Sequence, residues 1–131
     1  MQITIETIPH ENQRYPTVGD WLFVEPNHLR IRVSELGDWR KEAAVIVHEL
    51  VEAILCRNDG VSEEEVDEFD MGRLAWLKER GINPSLAGEP GDHGAAPYHR
   101  QHCIATAVER MLIAALGVPW AEYDAAVEAL P

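Results

Sequence analysis

A chain of 131 residues with 46% hydrophobic content can build one modest core, so a single domain covering residues 1–131 is expected. Eleven Lys and Arg stand against 23 Asp and Glu, a net charge of −12 that argues against nucleic-acid backbones and anionic membrane surfaces as partners. No basic, apolar and cleavable leader occurs, and no apolar run approaches the roughly 20 residues of a membrane span, so a cytoplasmic protein is expected.

Residues 2–8 alternate, with Ile3 and Ile5 on one face and Gln2, Thr4 and Glu6 on the other, which predicts a half-buried strand. Pro9 to Asp20 reads as a polar loop punctuated by Pro16 and Gly19. Trp21 to Val24 and the alternating Leu29, Ile31 and Val33 then flank Pro26-Asn27, the pattern of a hairpin. After Gly37, Asp38 is placed to cap a helix that ends near Arg57, with Asn58-Asp59-Gly60 as its stop.

The segment Ala43 to Cys56, AAVIVHELVEAILC, is apolar on every side of a helical projection and therefore reads as a buried helix. His48, Glu49 and Glu52 would be buried with it. At 3.6 residues per turn His48 and Glu52 stand one above the other, with Glu49 about 100° round from His48. Two ligands four residues apart, and a glutamate beside the first, form a metal-binding pattern with a general base. A buried carboxylate without a partner costs several kcal/mol, and a bound cation removes most of that cost. The alternative is a helix whose polar residues pair with arginines or line a solvated groove. Cys56 and Cys103 are too few and too deep in apolar helices for a disulfide framework and read as reduced core thiols.

Ser62 to Glu65 is a capping box that starts a second helix running to about Arg80. The acids of its first turns suit the helix dipole, while Asp67 and Asp70 share a face with Leu74 and could hold a second cation or orient a histidine. Residues 81–97, GINPSLAGEPGDHGAAP, have no periodicity and form a long loop that could act as a lid. A third helix is expected from Pro97, as an N1 proline, to Ala115, with Ile104, Ala105, Ala107, Val108, Met111, Leu112 and Ala115 as its apolar face. Catalytic zinc takes three protein ligands, and His102, His99 and Glu109 compete for the third place, His102 foremost. Val118-Pro119 turns the chain into a last helix from Trp120 to Leu130. The elements add up to an α+β fold, short N-terminal antiparallel strands followed by about four helices.

The order of strands, a helix with H-E-x-x-E, an acidic helix, a loop and a helix reading H-x-x-A-x-A-x-E resembles a minimal zincin, the small zinc-peptidase-like domain often encoded by phages and prophages. The resemblance covers residues 29–116 and places His102-Cys103-Ile104-Ala105-Thr106-Ala107 where those domains supply the last ligand. It implies Zn²⁺ on His48, Glu52 and His102, Glu49 as the base that activates water, Tyr98 or His99 near a developing oxyanion, and a peptide or protein substrate, in a host cytosol if the origin is a phage. Glu52 departs from the HExxH pattern: a carboxylate ligand lowers the Lewis acidity of the ion. Two other readings compete. One is an all-α nucleoside-triphosphate pyrophosphatase with Mg²⁺ on Glu49-x-x-Glu52 and Glu64-x-x-Asp67. The other is a non-catalytic, metal-stabilised or acidic interaction protein of phage type, including a decoy that mimics the charge of DNA.

Overall fold

The computed structural model describes residues 1–131. Its elements are β1 (Gln2–Ile8), β2 (Gly19–Glu25), β3 (His28–Ser34), α1 (Trp39–Asp59), α2 (Glu63–Glu79), α3 (His99–Ala115) and α4 (Trp120–Glu128), with 3₁₀ turns at His10–Asn12, Pro84–Leu86 and Pro90–Asp92. The α+β reading therefore holds. No helix is long and apolar enough to cross a membrane.

The sheet has the order β1-β3-β2. β2 and β3 form the expected antiparallel hairpin, with an irregularity between Phe23 and Glu25. β1, however, pairs parallel to β3, Ile3 opposite Leu29 and Ile5 opposite Ile31, so the sheet is mixed and not antiparallel throughout. A parallel pair needs a connection of a dozen residues or more, and the loop plus β2 supply it. Leu29, Ile31 and Val33 on the central strand are wholly buried. α1 lies over β2 and β3 and not over β1. Ile3 and Ile5 face the core side of the sheet yet stay more than two-fifths exposed for that reason.

α1 begins as expected: the Asp38 side chain accepts from Arg40 N, and Gly60 closes the helix at φ 75° in the left-handed region, where glycine is favoured. The capping box of α2 forms between Ser62 and Glu65. α3 starts two residues later than expected, so Pro97 precedes the helix and Tyr98 occupies the cap. α1 packs chiefly against α3, and Ala44, Ala53 and Ala105 of these two helices are wholly buried. The buried stripe of α3 is Gln101, His102, Ala105, Glu109 and Ile113. Met111, assigned to the apolar face from sequence, is 72% exposed, and Ile104 also reaches solvent. Packing selected the polar stripe because it meets the polar residues of α1. Cys56 is a buried thiol, whereas Cys103 is exposed, contrary to expectation, because it lies on the outer side of α3.

Candidate metal centre

His48, Glu52 and His102 meet between α1 and α3. His48 Nε2 is 3.2 Å from Glu52 Oε2 and 3.2 Å from His102 Nδ1, and His102 Nδ1 is 3.0 Å from Glu52 Oε2. The three donors form a nearly equilateral triangle. In tetrahedral zinc with bonds of about 2.0–2.1 Å, neighbouring ligand atoms are roughly 3.3 Å apart, so the triangle has about the size of one face of such a site. All three residues are at most 5% exposed.

Each ligand is held from behind. Glu109 Oε2 accepts from His48 Nδ1 at 2.6 Å, and Glu109 Oε1 accepts from the Tyr123 hydroxyl at 2.5 Å. His102 Nε2 lies 3.1 Å from Asp92 Oδ1 and 3.2 Å from Glu89 Oε2. The Trp21 indole donates to Glu52 Oε1 at 3.0 Å, which leaves Oε2 for the triangle. A carboxylate on one imidazole nitrogen fixes the proton there and turns the lone pair of the neutral ring to the other nitrogen. Both lone pairs then point into the triangle, as the carboxylate–histidine–metal arrangement requires.

The same carboxylates set the electrostatics of the metal-free state. Burial by itself opposes a charged His48, but hydrogen bonds to Glu109 and Glu52 outweigh it and push its pKa up to about 11. His102 follows the same logic with Glu52 and Glu89 and rises to about 10. Burial opposes an ionised Glu52 as well, yet His102 and His48 bring it down to about 2. Glu49 is different: burial, and then the charge of Glu52, raise its pKa well above the ordinary carboxylate value. It is 8% exposed, makes no hydrogen bond, and lies against the backbone of β2 at Gly19, where an added Cβ would come within 2.5 Å of its Oε1.

Glu49 and the triangle line one cavity of about 970 Å³. Of the other sequence candidates, Glu109 and Tyr98 sit beside the triangle but not on it. Glu109 orients His48 and is not placed as a third ligand, while the Tyr98 hydroxyl bonds to Asp70. His99 turns away, its Nδ1 on Gly91 O at 2.9 Å and its ring near Cys103. Asp67 pairs with Arg14 at 2.9 Å. Asp70 accepts from Tyr15 as well as Tyr98. Neither aspartate orients a histidine; Glu109, Asp92 and Glu89 do that. The role of Trp21 was signalled by an indole in a buried strand, which needs an acceptor. Glu89 and Asp92 gave no signal, since they lie in a stretch without periodicity.

The turn carrying Glu89 and Asp92 is pressed onto His102: a Cβ at Gly91 would fall 2.3 Å from His102 Cγ. Gly91→Ala is therefore expected to displace either the turn or the ring and to weaken zinc binding by about 10–100-fold, the range for loss of an orienting partner. Chelator competition on the purified variant measures this, and wild-type affinity would show that the turn does not position His102.

These features define a class, an α+β domain with a buried His/Glu/His donor triangle opening on an acidic cavity. No family model, no curated protein and no solved structure matches the chain.

Proposed function

We propose that the domain binds a divalent ion, zinc by ligand type, on His48, Glu52 and His102, and acts as a minimal zincin-like hydrolase on a peptide or another carbonyl substrate. The observation that carries this reading is the donor triangle with all three outer atoms held by Glu109, Asp92 or Glu89, and Trp21. A divalent ion there supplies Lewis acidity, polarising a carbonyl and acidifying water. Glu49 is the base. A base is most effective with a pKa near the working pH, and burial moves Glu49 in that direction while the cation would bring it partly back. Gly19 leaves the room in which its carboxylate sits. Glu109 and Asp92 keep the imidazole lone pairs turned inward, and the surrounding core excludes water from the back of the site.

The Mg²⁺-dependent pyrophosphatase reading fits less well. A three-stranded sheet supports α1, and Asp67 of the second motif is engaged by Arg14. A metal-stapled domain without catalysis uses the same triangle and differs only in Glu49. The test is elemental analysis of the purified protein together with hydrolysis of generic peptide and ester substrates by the wild type and Glu49→Gln. About one zinc per chain in both, with turnover only in the wild type, is expected. Zinc below about a tenth per chain after purification in zinc-supplemented buffer would overturn metal binding, and equal turnover in the two proteins would remove Glu49 as base.

A further inference from the structure

The cavity holds a buried carboxylate that the metal centre does not use. Asp70, 7% exposed, accepts from the Tyr15 hydroxyl at 3.1 Å and from the Tyr98 hydroxyl. Tyr98 stands between it and the centre, its ring 6.1 Å from that of His102 and edge-on to it. No arginine, lysine or histidine pairs with Asp70: Arg73, one turn on in α2 and on the same cavity, donates to Ala87 O instead, and Arg14 is taken by Asp20 and Asp67. Two phenols supply hydrogen bonds but no positive charge. Burial accordingly raises the Asp70 pKa to about 6 against the pull of the tyrosines, which still leaves it ionised near neutral pH.

A second carboxylate on the same cavity is also without a partner. Glu49 is more than nine-tenths buried and makes no hydrogen bond. Besides Glu52 of the donor triangle, the walls carry Glu49 and Asp70, and neither of these two is paired with a cation. A cavity of this volume accommodates a ligand the size of a short peptide segment.

We propose that Asp70, framed by Tyr15 and Tyr98, is the cation-binding subsite of this cavity, receiving the ammonium or guanidinium group of a substrate whose carbonyl lies at the donor triangle. The assignment rests on the metal reading of that triangle. The substrate class it selects is a peptide or amide carrying a basic side chain or a free amine near the reacting carbonyl. Anionic substrates are disfavoured by the same walls.

Hydroxamates test this without turnover, because the hydroxamate group chelates the ion while its chain samples the cavity. Zinc-loaded protein is titrated with ω-aminoalkanohydroxamates of three to six carbons and with the matching uncharged alkanohydroxamates, and zinc content is measured in the same samples. At least one chain length is expected to bind about tenfold more tightly with the terminal ammonium than without it, the effect of one charge-assisted contact. Asp70→Asn should bring that ratio to about one. Asp67→Asn removes a charge one turn away that already has Arg14, and should leave the ratio near ten. A wild-type ratio near one at every length, a ratio that survives Asp70→Asn, or an equal loss in Asp67→Asn would overturn the subsite while leaving the metal centre in place. Protein that holds no zinc and binds neither kind of hydroxamate would overturn the metal reading, and the subsite with it.

Discussion

Glu52→Leu is expected to abolish zinc binding, with an affinity loss beyond about 100-fold, since loss of an outer-shell partner alone costs about 10–100-fold. Leucine fits the apolar surroundings of α1 but removes the oxygen at one corner of the triangle. It also strips the Trp21 indole of its acceptor and the two imidazoles of the carboxylate they share. Removing one partner from a buried charged network costs about 3–5 kcal/mol, so the variant should melt at a lower temperature as well. Glu52→His is the informative counterpart. It restores HExxH on the same helical face, replaces an anionic oxygen donor with a neutral nitrogen, and should retain zinc with a more acidic bound water. If Glu52 were only a member of the buried network and not a ligand, leucine would leave zinc content unchanged while the melting temperature still fell. Zinc content of the two variants separates these cases. A leucine variant with full zinc would sink the assignment.

Zinc affinity is expected to climb by about ten- to a hundredfold per pH unit between about pH 6 and 8, one factor of ten for each proton displaced. The cause is the metal-free network, in which Glu109, Glu52 and Glu89 hold protons on His48 and His102 up to about pH 11 and 10. The ion needs Nε2 of the one and Nδ1 of the other as lone pairs, so those protons must leave. Stability of the metal-free protein moves the opposite way. A histidine whose pKa is raised on folding contributes stability that is complete below its ordinary value of 6.5 and is lost as pH rises through about 10 and 11. Glu52, lowered from 4.5 to about 2, contributes above 4.5 and loses that contribution as pH falls toward 2. Glu49, raised by burial, adds a loss that begins above 4.5. The gap in melting temperature between zinc-loaded and chelated protein should therefore widen from about pH 6 to 8. A gap that stays constant over that range, or an affinity independent of pH, would show that no proton is displaced from the triangle.

The local chemistry of the chain determined much of this. An apolar run with His48, Glu49 and Glu52 inside it has to bury them, and helical spacing by itself puts His48 and Glu52 on one face. Capping signals at Asp38, Ser62 and Gly60 act within a turn of the helix, and alternation over residues 29–33 is a property of the strand alone, so each is readable from neighbours in sequence. The choice of His102 over His99 was decided only by the tertiary structure. The two residues lie three apart, close to one turn, and which of them faces α1 depends on where α3 begins and on how it packs against that helix. The orienting carboxylates Glu109, Asp92 and Glu89, the indole of Trp21 and the room left at Gly19 and Gly91 come from distant elements, and the parallel pairing of β1 comes from a register across 26 residues. Such relations are set by packing between elements, which burial energy selects only once the whole core is assembled.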